Sequence, residues 1–140
     1  MRQKKSASAN TTVLERLRAA GLRPTRQRLA LAKLLFARGN RHVSAEQLFN
    51  EAKAQRVDVS LATVYNALHD FTAKELLREI SIDSSSSYFD TNTGSHHHFY
   101  FERSGHLEDI AADQVQIAAL PAPPGGAEVS RVDVIIRVKA

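Results

Sequence analysis

Apolar positions recur at helical spacing through the first half of the chain and at strand spacing through the second. Around residues 12–20, Leu14 and Leu17 stand three apart and Gly21 follows, a residue suited to the left-handed position just past a helix end. In "RPTRQRLALAKLLFARGN", Thr25 is a good N-cap, Leu31, Leu34 and Leu35 fall on one face, and Gly39-Asn40 ends the pattern. "SAEQLFNEAKAQR" opens with Ser44 and Gln47 in capping-box spacing and turns Leu48 and Ala52 inward. A fourth helix begins at Ser60 in "SLATVYNALHDFTAKEL", where Leu61, Val64, Leu68 and Phe71 make a continuous buried stripe.

The period then changes. In "LLREISIDSSSSYFD", Ile80 and Ile82 alternate with polar residues, four serines make a turn, and Tyr88-Phe89 start a return strand. Helices followed by such a hairpin predict a winged helix-turn-helix with the Ser60 helix as its reader. After Asn92, Phe99 and Phe101 alternate in "HHHFYFER", "ADQVQIAAL" predicts a short helix, and "LPAPPGGAE" is a loop. Val132, Val134, Ile136 and Val138 fall on one face of a last strand. A fragment this short rarely folds alone without disulfides, a metal or oligomerisation, so its apolar faces are expected to be completed by a second copy.

The chain therefore predicts an α+β protein: a flexible basic arm over 1–11, a winged-helix DNA-binding domain over 12–91, and a small αβ dimerisation and ligand-sensing domain over 92–140. No apolar run approaches the roughly 20 residues that span a bilayer, and no charged-then-apolar leader opens the chain. The expectation is a cytoplasmic protein with no membrane partner. Without cysteine there is no disulfide and no thiolate-held zinc. No nucleophile motif and no H-E-x-x-H pattern is present, so an enzyme is not expected.

Charge sharpens the division. Residues 1–78 hold 15 Lys and Arg against 6 Asp and Glu, a balance of +9, whereas residues 79–140 hold 4 against 9, a balance of −5. A basic half suits a polyanion. On the Ser60 helix, Ala62, Thr63, Asn66, His69 and Asp70 oppose the apolar stripe, with Tyr65 on the flank. Asn can pair with adenine, and Ala or Thr can meet a thymine methyl, so Ser60, Ala62, Thr63, Tyr65 and Asn66 are the candidate readers. Arg23, Arg26, Arg28, Lys33 and Arg78 are the candidate phosphate contacts, which orient a protein without reading sequence. Double-stranded DNA bound by a homodimer at paired half-sites is the expected partner.

The densest chemistry is "SHHHFYFERSGHLEDIA". On a strand, His96 and His98 share a side with Tyr100 and Glu102, while His97 points away with Phe99 and Phe101. A single ion is not expected to take all three. Two converging imidazoles are a common half of a metal site; the rest is open among His42, Asp90, Glu108 and Asp109. Two histidines hydrogen-bonded at a dimer surface would explain the spacing almost as well.

"GLRPTRQR", "RHVSAEQLF", "SLATVYNAL", "YFDTN", "HHHF" and "GHLEDI" occur in the order and spacing of the ferric uptake regulator family, which the chain resembles over roughly residues 12–140. Within it, "SLATVYNALHDF" and "SSSSYFDTNTGSHHHFYFE" are most similar to the iron response regulator branch of alphaproteobacteria. The resemblance implies a cytoplasmic, dimeric winged-helix repressor of iron and haem genes. Its regulatory site lands on His42, Asp90, His96, His98 and Asp109, with His42 linking the two halves. In that branch the run His96, His97 and His98 is associated with haem, for which imidazole is a competent axial ligand. The family's CxxC zinc pairs are absent, Phe101 and Ser104 standing at the first, so no structural four-cysteine zinc is expected. Asn66 stands where many iron regulators carry Arg, which implies a different operator. The leading expectation is a regulator whose DNA binding haem weakens. The alternative is an Fe²⁺- or Mn²⁺-dependent corepressor-type repressor, with Zn²⁺ competing in vitro.

Overall fold

Thr25, Ser44 and Ser60 each start a helix through a side-chain hydroxyl, and left-handed residues close three of the described helices. The computed structural model describes residues 12–140, so the arm expected over 1–11 lies outside the described residues. These residues divide into two compact units, one ending at Thr93 and the other beginning at Gly94.

In the first unit, helix α1 covers residues 12–19. It closes with Leu22 N–H donating to the Leu17 carbonyl at 2.9 Å and Gly21 N–H to that of Arg18 at 3.0 Å, Gly21 having φ +76°. Such a Schellman pair satisfies carbonyls that a helix end would otherwise leave orphaned. Val13 and Leu17 are buried and Leu14 only partly, so the inward face runs one residue off the Leu14–Leu17 line expected from spacing.

Helix α2 (Arg26–Phe36) starts where Thr25 Oγ1 accepts the Arg28 N–H and buries Leu31 and Leu35 completely, with Leu34 at the margin. Helix α3 (Ala45–Ala54) starts on Ser44, whose Oγ accepts the Gln47 N–H, and buries Leu48 and Ala52. Helix α4 (Leu61–Ala73) starts on Ser60 and buries Val64, Ala67, Leu68 and Phe71. Both α3 and α4 end in the same Schellman pattern as α1, but on residues other than glycine. Arg56 has φ 57° and Glu75 φ 62°. Val57 N–H donates to the Ala52 carbonyl at 2.8 Å, and Leu76 N–H to that of Phe71 at 2.9 Å.

The helices close over a core of Leu17, Leu31, Leu35, Leu48, Val64, Leu68 and Phe71, onto which Phe89 packs from the sheet. Each fully buried Leu or Phe contributes about 1.5–3 kcal/mol. The sheet runs β1-β3-β2, all antiparallel, from β1 (His42–Val43), β2 (Arg78–Ser81) and β3 (Ser87–Asp90). The hairpin β2–β3 is the expected wing. Strand β1 is too short to leave a sequence pattern and exists by pairing, His42 opposite Asp90 and Val43 opposite Phe89. In the wing loop, Asp83 accepts the Ser85 N–H and hydroxyl at 2.9 Å each, and the backbone bond foremost holds its carboxyl below the ordinary carboxylate range.

The second unit is a sheet ordered β5-β4-β6, from β4 (His96–Phe101), β5 (Leu107–Ala111) and β6 (Ile135–Val138). Strand β5 lies antiparallel to β4, and β6 parallel to it. A crossover between such strands usually carries a helix. Here residues 112–134 hold only two tight helical turns, Ala112–Gln114 and Pro124–Gly126. The helix expected over 112–120 does not form. Pro121, Pro123 and Pro124 block its extension, and Ile117 and Leu120 are exposed, with no face of their own unit to cover them. The last strand is also shorter than expected: Val132 and Val134 precede it, and Ile136 is 39% exposed rather than inward. The chain as a whole is α+β, but its α component lies in the first unit. No helix among the described residues is long and apolar enough to cross a membrane.

Candidate functional site

Two groups of residues carry chemistry, one in each unit. On α4, the face opposite Val64, Leu68 and Phe71 presents Ala62, Tyr65, Asn66 and His69 to the outside, with Thr63 half-covered. Ser60 and Thr63 are partly committed to the helix start: Ser60 Oγ accepts the Thr63 N–H at 3.1 Å and lies 2.9 Å from the Thr63 hydroxyl. Arg23 and Arg26 are exposed, as a phosphate contact requires. Arg28 instead donates to Asp70 on α4 at 3.0 Å and to the Arg23 carbonyl at 2.8 Å, which fastens α2 to α4. Arg78 was expected at a phosphate; it is 5% exposed in β2, beside Asp90 in the register, where a guanidinium does not reach a backbone phosphate. Its burial on β2 is the physical reason, and strand alternation alone does not reveal it.

Composition could not show one partner on this surface. Tyr65 donates its hydroxyl to Glu46 Oε1 at 2.7 Å, and this hydrogen bond, with burial and the carboxylate's charge adding to it, raises the phenol above its ordinary value of 10.0. Its ring stacks on His69, centroids 6.4 Å apart and 18° between planes. His69 meets Phe89 edge-on at 5.8 Å.

In the second unit, β4 alternation and the β4–β5 register build a cluster of ligand-type atoms. His98 stands opposite Asp109, and His96 is two residues away on the same side. His96 Nε2 lies 3.6 Å and His98 Nε2 3.4 Å from Asp109 Oδ1, and the two rings are 4.5 Å apart. One ligand atom from each of the three residues falls within 4.8 Å of the others. The Gly94 carbonyl, 2.7 Å from His96 Nδ1, can only accept, so that nitrogen carries the proton and Nε2 the lone pair. Glu108, opposite Phe99, projects to the other face and stays outside the cluster.

His97 points away, as expected, and its Nδ1 accepts the Val134 N–H at 3.1 Å. His98 N–H donates to the Val134 carbonyl at 3.1 Å, so both sides of one residue hold the end of the crossover to β4. This arrangement does not support haem at His96, His97 and His98. All three are buried, and His97 is committed through Nδ1 to a backbone partner. In the first unit, His42 and Asp90 are cross-strand neighbours at the end of the wing sheet, and Asp90, 1% exposed, accepts the Asn92 N–H at 2.9 Å.

Residues 19–133 match the model of the ferric uptake regulator family. Over 99 residues, 71% of this chain, the sequence is 33% identical to the peroxide-responsive repressor PerR of Staphylococcus aureus strain Mu50. That match spans 66% of the staphylococcal protein, slightly less than two-thirds of its length. The ferric uptake regulator of Pseudomonas aeruginosa, solved with manganese, superposes with a TM-score of 0.67 at 24% identity, over 90% of this chain and 96% of that one. For the ferric uptake regulator of Vibrio cholerae the TM-score is 0.72 at 23% identity, over 90% and 98%. At such identities the likeness establishes the fold.

Proposed function

The chain belongs to the ferric uptake regulator family, and from that membership we propose that it is a dimeric, metal-responsive repressor that binds double-stranded DNA. The observation that carries the sensing half is the convergence of His96, His98 and Asp109, with the His96 tautomer set by the Gly94 carbonyl. Two imidazoles and a carboxylate, with no thiolate, suit Mn²⁺ or Fe²⁺, and Zn²⁺ would compete in vitro. In this proposal His42 and Asp90 are the further ligands, carried over from the family pattern. A bound divalent cation supplies the charge that holds these donors together. The reading half rests on Tyr65 and Asn66, with Ala62 and Thr63 beside them and Arg23 and Arg26 for phosphates.

Dimerisation is proposed from the second unit, where Ile117, Leu120 and Val129 on the crossover and Ile136 on β6 are exposed. Repression is the sense carried by the name of the staphylococcal relative, and iron supply is the process proposed for the target genes.

The test is DNA binding by metal-stripped protein, with operators taken from its own genomic DNA by selection in Mn²⁺. Mn²⁺ is expected to tighten binding at least about tenfold, chelation to reverse the gain, and His98→Ala to abolish it. If haem alters binding and no divalent cation does, the metal reading is wrong and the histidine run answers to haem.

A further inference from the structure

The hydroxyl proton of Tyr65 is already committed in this structure; a carboxylate on a neighbouring helix holds it. Glu46 sits in the first turn of α3, and its Oε1 accepts the Tyr65 O–H at 2.7 Å. The phenol lies on a reader helix with 37% of the residue exposed, flat over His69, which in turn abuts Phe89 of the wing. A cleft of about 510 Å³ runs between these residues and the wing serines Ser84 to Ser87. The ring is thus fixed at three points: by its hydroxyl to α3, by its face to His69, and by its Cα to α4.

A carboxylate here runs against the electrostatics of the surface. A DNA-binding face gains from cations, and Glu46 repels phosphates. Nor is the residue needed to start α3, since Ser44 already accepts the Gln47 N–H. What Glu46 does that no neighbour does is orient Tyr65.

We propose that Glu46 is a positioning residue for sequence recognition: it takes up the Tyr65 hydroxyl and presents the ring, not the O–H, to the base edges. This rests on the DNA-binding function proposed above. A ring presented in this way recognises apolar base features, the thymine methyl foremost, and a fixed ring discriminates where a swinging one does not. The raised phenol value fits the same arrangement, because the bond to a carboxylate favours the protonated Tyr65. The inference also separates two effects of Glu46: its charge lowers affinity for all DNA alike, while its acceptor oxygen sharpens preference at one place in the half-site.

Three full-length variants separate the two, each compared with wild type by selection from a random duplex pool under the same metal and salt. Glu46→Gln keeps an acceptor within reach of the hydroxyl and removes the charge; it is expected to bind all sequences more tightly with an unchanged base profile. Glu46→Ala removes both and is expected to flatten the profile at the one or two base pairs facing Tyr65, where a wild-type preference of roughly fivefold or more collapses toward unity. Tyr65→Phe keeps the ring and loses the bond, and is expected to flatten the same base pairs. An unchanged profile in Glu46→Ala, or identical uniform gains in Glu46→Ala and Glu46→Gln, overturns the inference and leaves Glu46 a charge only. If wild type itself enriches no sequence, the DNA-reading function fails first and takes this inference with it.

Discussion

His97 and His98 are adjacent, both buried, and predicted to fail in opposite ways when cut to alanine. His97 Nδ1 accepts the Val134 N–H at 3.1 Å, from a residue 37 positions further along the chain. Removing the ring leaves that N–H without its acceptor, at a cost of about 1–3 kcal/mol when the group stays buried. Lost packing around a residue only 9% exposed adds to this, so His97→Ala is expected to lose about 1–3 kcal/mol of stability. His98 contributes Nε2 to the cluster with Asp109, and its strand-to-crossover bond uses the backbone N–H, which alanine retains. His98→Ala is therefore expected to cost Mn²⁺ affinity more than the roughly 10–100-fold lost with an outer-shell partner. His97→Ala, measured well below its unfolding temperature, is expected to stay under the lower end of that range. Urea unfolding without metal reports the stability, and titration calorimetry with Mn²⁺ reports the affinity. If His97→Ala matches His98→Ala in lost affinity and keeps wild-type stability, the opposite-face geometry of β4 is wrong and the three histidines act as one site.

Other outcomes follow from the first unit. Glu75→Gly is expected to stabilise by about 0.5–1 kcal/mol in thermal unfolding, because a left-handed residue with a Cβ gives way to one without strain; a lower midpoint would show that the Glu75 side chain contributes more than its backbone costs. Leu68→Ala, at a fully buried site, should cost about 2–5 kcal/mol and lose DNA binding through the fold rather than through contacts. Near-ultraviolet titration should find the Tyr65 phenol above 10.0, moving back toward that value in Glu46→Ala. Since the folded value is raised, its stabilising contribution is complete below the unfolded value and lost as pH climbs through the folded one. A Tyr65 titration indistinguishable in the two proteins would mean the Glu46 bond is not made in solution.

Local signals carried much of this fold. Thr25, Ser44 and Ser60 each act as the caps their spacing announced, and the Val64–Leu68–Phe71 stripe is buried as the period requires. The division of labour within the histidine run also followed from strand alternation alone. What escaped was set by partners far along the chain. Strand β1 exists because His42 and Val43 meet Asp90 and Phe89, and Arg78, buried on β2, stands opposite Asp90 in the register. Arg28 looked like a phosphate contact until Asp70, 42 residues away, was placed next to it. The ends of α3 and α4 were hidden for another reason: Arg56 and Glu75 adopt a conformation that ordinarily announces itself as glycine. The 112–120 segment reads as a short helix but leaves Ile117 and Leu120 exposed.

The crossover has a consequence for the order in which the second unit is made. Strands β4 and β5 are joined through residues 102–106, so the cluster of His96, His98 and Asp109 is a local hairpin. Strand β6 reaches β4 only after residues 112–134, and a parallel pairing over that separation closes slowly. During folding the hairpin can therefore pair before the third strand docks. The ligand cluster is the early part of its unit, and Val134, arriving late under His97, is the latch that finishes it.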